Sequence, residues 1–282
     1  MGELVTAVAL ATACAVIFGT ADFLGGLATR RSRVLAVVVL SQVGGLLLIG
    51  VLIPLLPGSV SPAALLWGMA SGVAGAGALV LFYRGLATGM MSVVAPTTAT
   101  TAMAVPVIFG LLIGERPSAL ALTGVVLGLL AVLLVSRDPN GTATGSRVGP
   151  ILGALASGAG FGAFFILLRL APEDSGVWPL LGARFASIAL VVVLAVARRA
   201  TLRPTPGSVP VTLWAGVLDM AANVLYLLAA QRGMLSLVAV LVSLYPASTL
   251  LLARYVLGER LSALQIAGVG FALGAVALIA AS

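Results

Sequence analysis

Eight acids and fifteen arginines carry all the charge in this chain of 282 residues; lysine and histidine are absent. Chemistry must come from carboxylates, guanidinium groups, amides and hydroxyls. Asp219 stands near the middle of a long apolar stretch, with Asn223 and Tyr226 following at i+4 and i+7. On a helix these three project from one face. A carboxylate there is a candidate proton carrier, or a hydrogen-bonded brace for a neighbouring arginine. Asp22 lies in the last third of another apolar stretch, eight residues before Arg30. It is a candidate for ion binding, or for pairing with the arginines at that helix end. Arg184 also falls inside an apolar stretch. It needs an acid partner, Asp219 or Asp22, or an anionic ligand. Gln42 occupies the matching place in the first half of the chain and joins the candidates for the same site. Tyr245 and Gln231 are weaker cavity candidates.

Other chemistries are excluded by residue type. Without histidine there is no imidazole relay and no histidine metal ligand. One cysteine, Cys14, rules out an internal disulfide and a multi-cysteine metal site. No cofactor or metal is called for. A membrane enzyme would need an activated nucleophile, a base or a metal cluster, and none appears. The net charge of +7 raises nucleic acid binding. The arginines, however, sit in short connectors such as Arg30, Arg31 and Arg33, or Arg198, Arg199 and Arg203, where lipid headgroups are the better partner.

The elements that hold these residues are membrane helices. The chain is 61% hydrophobic and 8% charged, too little polar surface for a water-soluble domain. Its apolar runs are continuous, which selects helices over barrel strands. Ten spans are expected, at 4–28, 34–54, 62–83, 90–113, 119–136, 149–170, 177–197, 209–231, 234–253 and 262–281. Pro62 and Pro210 suit helix starts. Ser118 and Ser262 suit N-caps. Trp67, Trp178 and Trp214 stand near span ends, as interfacial anchors do. Met1-Gly2-Glu3 precedes the first run without a positive leader, so no cleaved signal peptide is expected.

A shift of 144 residues lays Gly89-Met90-Met91-Ser92-Val93-Val94-Ala95 over Gly233-Met234-Leu235-Ser236-Leu237-Val238-Ala239. The same shift lays Gly114-Glu115-Arg116-Pro117-Ser118 over Gly258-Glu259-Arg260-Leu261-Ser262. At a shift of 143, Phe18-Gly19 meets Phe161-Gly162. The expected organisation is a first five-helix repeat at 1–137, a polar connector at 138–148 and a second repeat at 149–282. Five crossings per copy invert the second copy relative to the first. The expected fold is therefore an all-α membrane protein of two inverted-topology repeats around a central cavity.

Glu115 and Glu259 fall at the starts of the fifth and tenth spans, each beside an arginine, Arg116 or Arg260. Helix-end capping or a gate is the expectation for this motif. Pro96, Pro106 and Pro246 are expected to interrupt the fourth and ninth spans. Gly68/Gly72, Gly124/Gly128 and Gly270/Gly274 have the spacing of helix-packing seams.

Two copies of a segment ending in Gly-Glu-Arg, each followed by a glycine-bearing final helix, resemble the EamA-type members of the drug/metabolite transporter superfamily. Arg184-Phe185 looks like the Arg-Phe pair of helix two in such repeats, whereas the first copy carries Gln42-Val43. The resemblance implies ten helices, a cavity between the halves and alternating access. It implies a transporter of small metabolites or drugs in the cell membrane, coupled to an ion gradient, with the lipid bilayer and a small-molecule substrate as partners and protons as the candidate ion. An uncoupled facilitator of the same fold is the alternative. Eleven arginines lie on the side opposite the termini and three on the terminal side, which by the positive-inside rule puts both termini outside. The family's habit is cytoplasmic termini. Substrate, direction and oligomeric state are not readable from the residues.

Overall fold

Long apolar runs bury their backbone hydrogen bonds internally, and in a computed structural model of the chain every expected span is helical. The structure describes residues 2–29, 31–88, 91–135, 148–258 and 261–282. The first half holds α1 (Gly2–Thr29), α2 (Val34–Leu52), α3 (Pro62–Thr88), α4 (Met91–Leu112) and α5 (Ala119–Val135). The second holds α6 (Val148–Arg169), α7 (Trp178–Ala197), α8 (Val209–Ala230), α9 (Leu235–Val242), α10 (Tyr245–Leu257) and α11 (Ala263–Ala280). Among the described residues eight spans are long and apolar enough to cross a bilayer by length and composition, with α9 and α10 counted together; Thr97–Leu112 and Ala119–Leu134 are shorter apolar helices. Glu259, Arg260 and the connector from 136 to 147 lie outside the described residues.

The helix ends follow from local chemistry. Pro62 opens α3, and Pro210 sits in the first turn of α8. Ser118 Oγ accepts the Ala121 amide at 3.1 Å. Ser262 and Gln265 form a reciprocal capping box at the start of α11. Trp214 is exposed near the start of α8.

Proline did not act as expected in the fourth span. α4 runs unbroken through Pro96 and Pro106. Pro106 is buried against Gly162 of α6, whose missing side chain leaves room for the ring. The ninth span does break. Ser243 and Leu244 separate α9 from α10, and Pro246 stands in the first turn of α10. Lacking an N–H, Pro246 cannot continue the hydrogen-bond ladder from α9.

Packing is mainly between the halves. α1 lies on α8 and on the α9–α10 pair, α6 lies on α3 and α4, α2 and α3 both meet α7, α2 also meets α8, and α5 pairs with α11. Gly68 and Gly72 of α3 fit against Pro179 and Ala183 of α7, so these two helices run parallel. Gly124 faces Ile279 and Ala275, and Gly128 faces Ala275 and Val240, so α5 and α11 run antiparallel. Small residues permit these close approaches. Gly270 has open space around it, so it is no part of a seam; Gly274 only touches Leu127.

Connectors from both halves meet at each end of the bundle. At the terminal end, Ser59 donates through its amide to the Asp174 carbonyl at 2.9 Å and through its hydroxyl to the Asp174 carboxylate at 2.6 Å. At the opposite end, the Thr205 hydroxyl donates to the Arg31 carbonyl at 2.8 Å, and the Thr205 amide donates to Ser32 Oγ at 3.1 Å.

Candidate functional site

A guanidinium in an apolar helix must find acceptors, and Arg184 finds two on different helices. From α7 it donates through Nη1 to Gln42 Oε1 of α2 and through Nη2 to Asp219 Oδ2 of α8. Gly45 of α2 makes room for it: a Cβ there would stand 3.2 Å from Arg184 Nε. The pair is lopsided in burial. The Arg184 side chain is 10% exposed and that of Asp219 is 36% exposed. Asp219 thus sits at the edge of accessible space with its partner behind it. Asn223 Nδ2 donates to the Asp219 carbonyl at 2.8 Å and to Asp219 Oδ2 at 3.3 Å. Its own Oδ1 is buried without a hydrogen-bond partner among the described residues. Sequence reasoning offered Asp219 and Asp22 as partners for Arg184, and the structure brings Asp219.

The third residue of the stripe is a brace. Tyr226 is fully buried, donates to the Phe165 carbonyl of α6 at 2.7 Å, and stacks against the Phe165 ring at 4.5 Å between centroids. It ties α8 to α6. Cys14 plays a similar part, its buried thiol donating to the Ala222 carbonyl of α8 at 3.0 Å. Among the described residues no group of three or more His, Cys, Asp or Glu could hold a metal ion.

Asp22 takes another role. Ala11, Ala15, Phe18 and Asp22 recur at helical spacing on one face of α1. Ala11 and Ala15 are buried, Phe18 is half-buried and Asp22 is exposed. Cys14, beside this face, bonds to α8, and Ala15 and Phe18 meet Ser248 and Tyr245 of α10. Among the described residues its carboxylate makes no hydrogen bond or ion pair, and the expected pairing with the arginines at the helix end is absent there. It lies within electrostatic reach of Asp219 and of Tyr245. The Phe18 ring stands 6.3 Å from Tyr245 and 6.4 Å from Phe165. Phe18 and Phe165 were missed by sequence reasoning; the available signal was the i, i+4 spacing of Phe18 and Asp22.

Burial changes sharply along the bundle. All eight residues of α9 are buried, and none of α10 is. Along α8, Tyr226 and Asn223 are buried and Asp219 is half-exposed. α9, at the terminal end, is wholly buried and α10 is not, while along α8 Asp219 is half-exposed between buried Gly216 and buried Asn223.

The seal includes Glu115. It does not serve the start of α5, where the sequence places it. Its carboxylate reaches across to the other half and accepts from the Leu235 amide at 2.5 Å, the Ser236 amide at 3.0 Å and the Ser236 hydroxyl at 2.6 Å. These are orphan donors at the start of α9, where a negative charge also complements the helix end. Gly110 lies directly under this carboxylate. Arg116 is exposed, and the equivalent Glu259 and Arg260 lie outside the described residues.

The fold recurs among solved proteins. A crystal structure, titled only as that of a protein, superposes over 96% of this chain and 95% of its own, with a TM-score of 0.79 and 17% identity. That likeness establishes the fold alone. No curated protein sequence matches the chain. The profile of the EamA-like transporter family matches residues 149–281. Residues 149–281 form an EamA-like transporter domain. EamA proteins form part of the drug/metabolite transporter superfamily, a group of membrane transporters rather than enzymes. The EamA match covers α6 to α11, so Arg184, Asp219, Asn223 and Tyr245 all lie within it, while Gln42, Asp22 and Glu115 come to the same interior from the first half. An EamA protein of this kind is a multi-pass membrane protein with a small-molecule substrate.

Proposed function

We propose that this EamA protein is a secondary active transporter that exports small organic solutes across the cell membrane by alternating access, with a proton as the coupling ion. One observation carries the reading. A carboxylate without a partner among the described residues, Asp22, lies within electrostatic reach of the half-exposed Asp219, while the terminal end is closed by the buried α9 and its Glu115 clasp. A site reached from one face with the opposite face sealed is one of the two states that alternating access requires.

The two halves act as inverted repeats. Exchanging α1–α5 with the corresponding members of the second half turns the α1–α8 pairing into α6–α3, α2–α8 into α7–α3, and α4–α6 into α1 with the α9–α10 pair, all of which occur. The fifth and tenth helices run antiparallel, as inversion demands. Gly19 of α1 faces Tyr245, and Gly162 of α6 faces Val105 and Pro106, so the matched Phe-Gly pairs make equivalent seams. A pseudo-two-fold of this kind supplies a second state at little cost, because rocking the halves exchanges their roles.

Orientation follows the arginines. Arg31, Arg33, Arg198, Arg199, Arg203 and Arg254 mark the accessible end, against Arg116, Arg169 and Arg232 at the sealed end. The positive-inside rule then makes this state open to the cytoplasm, ready to load a solute for export.

The test is transport in proteoliposomes. Solutes that raise the melting temperature of the purified protein are chosen first, because ligands that bind only the folded state stabilise it. Their movement is then followed with and without an imposed proton gradient. Accumulation that collapses on adding a protonophore supports coupling. Movement that only dissipates the solute gradient and ignores protons supports the uncoupled facilitator instead.

A further inference from the structure

The two ends of the bundle carry junctions of opposite charge. In order along each half, the α1–α2 connector corresponds to the α6–α7 connector, and the α2–α3 connector to the α7–α8 connector. Each junction joins one connector from each half by hydrogen bonds. At the terminal end Ser59 meets Asp174, and Arg169 is turned onto the neighbouring Glu173 at 3.5 Å. At the opposite end Thr205 meets Arg31 and Ser32. The two connectors there carry Arg31, Arg33, Arg198, Arg199 and Arg203, and no acid. All five arginines are exposed. Among the described residues none of their side chains makes an ion pair or a hydrogen bond.

The backbone at this junction is bent to hold one of them. α7 ends in a Schellman motif, in which the Ala200 amide donates to the Ala195 carbonyl at 2.8 Å and the Arg199 amide to the Val196 carbonyl at 3.0 Å. The left-handed position of that motif, where glycine is usual, is Arg199 with φ 48°. It is the only non-glycine residue of positive φ among the described residues. A side chain kept against its backbone preference points to a use. The negative C-terminal end of α7 accounts in part for Arg198 and Arg199. It does not account for Arg31 and Arg33, which precede the positive N-terminal end of α2. Arg33 is the N-cap there and makes no side-chain cap hydrogen bond. α8 also begins at this junction without a side-chain cap bond. Two helix N-termini and five guanidinium groups thus gather where neither connector supplies a negative charge.

The level of the junction in the bilayer selects the anion. α7 ends and α2 starts here, so the arginines stand where apolar spans meet the headgroups. Guanidinium groups bind phosphate oxygens in bidentate pairs. Basic clusters at span ends attract anionic lipids. We infer that the α1–α2 and α7–α8 connectors together bind the phosphate headgroup of an anionic phospholipid, which bridges the two halves at this end, and that the acidic junction at the terminal end binds none. This goes beyond the transport reading and does not depend on it; it requires only that the chain crosses a membrane.

The experiment is lipid binding to the purified full chain in an uncharged detergent, read by native mass spectrometry and by thermal melting. Phosphatidylglycerol is the probe. Phosphatidylcholine with the same acyl chains is the competitor, and glycerol 3-phosphate is the soluble source of the same phosphate chemistry. The protein should retain phosphatidylglycerol about tenfold over phosphatidylcholine and melt at a higher temperature in its presence. Arg31→Gln with Arg33→Gln, and separately Arg198→Gln with Arg199→Gly, should each remove most of that preference. Glycine suits the left-handed position, so the second variant should melt no lower than the wild type in phosphatidylcholine. Arg116→Gln with Arg232→Gln removes the same charge at the terminal end and should leave the preference intact. Equal retention of the two lipids, or an equal loss from the terminal-end variant, overturns the inference. Loss from only one of the two connector variants also overturns it, because the site is built from both halves. Displacement of the lipid by glycerol 3-phosphate at equal concentration assigns the arginines to soluble anions and overturns the lipid site.

Discussion

Gln42 and Arg184 hold matching places in the second helices of the two halves, and they are hydrogen-bonded to each other across the interior. The repeat that placed an arginine in one copy and a glutamine in the other thus yields a donor and an acceptor at the meeting of α2 and α7. Two arginines there would repel, and two glutamines would leave Asp219 without its cation. The divergence of the copies is what makes this contact work.

Removing the guanidinium should therefore cost stability through Asp219. Deleting one partner of a fully buried ion pair costs about 3–5 kcal/mol. Asp219 is more than a third exposed, so solvent screening reduces this to roughly 1–3 kcal/mol. Arg184→Ala should lower the thermal midpoint of the purified protein, and Asp219→Asn in the same background should recover part of the loss. Arg184→Lys should not restore the wild-type value, since one ammonium cannot reproduce the fork to Gln42 and Asp219. Midpoints equal to the wild-type value for all three variants would show that the pair is structurally idle.

Neutralising the two interior acids should have unequal consequences for coupling. Asp219 is committed to Arg184, whereas Asp22 is accessible and without a partner among the described residues. Asp22→Asn should abolish proton-driven accumulation in proteoliposomes while Asp219→Asn leaves at least a measurable fraction. Solute exchange without a gradient should survive in Asp219→Asn. If Asp22→Asn couples protons at the wild-type rate, the carrier lies elsewhere.

The helices were legible because continuous apolar runs leave the backbone no alternative in lipid. Which residues would need partners was legible too: an arginine inside a span and a carboxylate inside a span announce themselves by cost. Which partner each one takes was not. Arg184 and Asp219 are 35 residues apart on different helices, and only the packing of α2, α7 and α8 brings Gln42 to the same point. Proline misled for the same reason. Pro106 and Pro246 look alike in sequence, yet Gly162 accommodates one inside an unbroken helix while the other follows a break. Glu115 was read as serving the helix it precedes; the donors it serves lie 120 residues further along. In each case the residue's need is local, and what meets the need comes from the fold.

Glycine seams give a prediction with an internal control. A Cβ on Gly216 would collide with the Ser41 backbone of α2, close to the Gln42–Arg184–Asp219 cluster. Backbone cannot move aside as a flexible side chain can. Gly216→Ala should destabilise the protein by about 1–3 kcal/mol through overpacking. Gly270→Ala meets open space and should be neutral, or slightly stabilising given the better helix propensity of alanine. Chemical unfolding of the two variants in the same detergent checks this. A loss in Gly270→Ala equal to that in Gly216→Ala would mean that helix approach is not what the glycine at 216 serves.

The Glu115 clasp should act on conformation as well as stability. Three donors of the α9 N-terminal region depend on one carboxylate, and hydrogen bonds to a charged acceptor contribute about 1.5–3 kcal/mol each. Glu115 is partly exposed, so Glu115→Gln, which keeps an oxygen acceptor and loses the charge, should cost only about 1 kcal/mol, and Glu115→Ala roughly 2 kcal/mol or more. Amide exchange at Leu235 and Ser236 should quicken in both variants, more in the alanine one. Because the clasp joins the halves at the terminal end, weakening it should favour opening there. A thiol placed at Ser236 would then gain reactivity toward an impermeant reagent from the terminal side, while reactivity at the accessible end falls. Glu259 occupies the equivalent place in the second repeat, with Ser92 matching Ser236. Glu259→Gln should therefore shift accessibility in the opposite sense. Identical shifts from the two variants would remove the pseudo-two-fold relation from the account of gating, leaving Glu115 as a helix cap and nothing more.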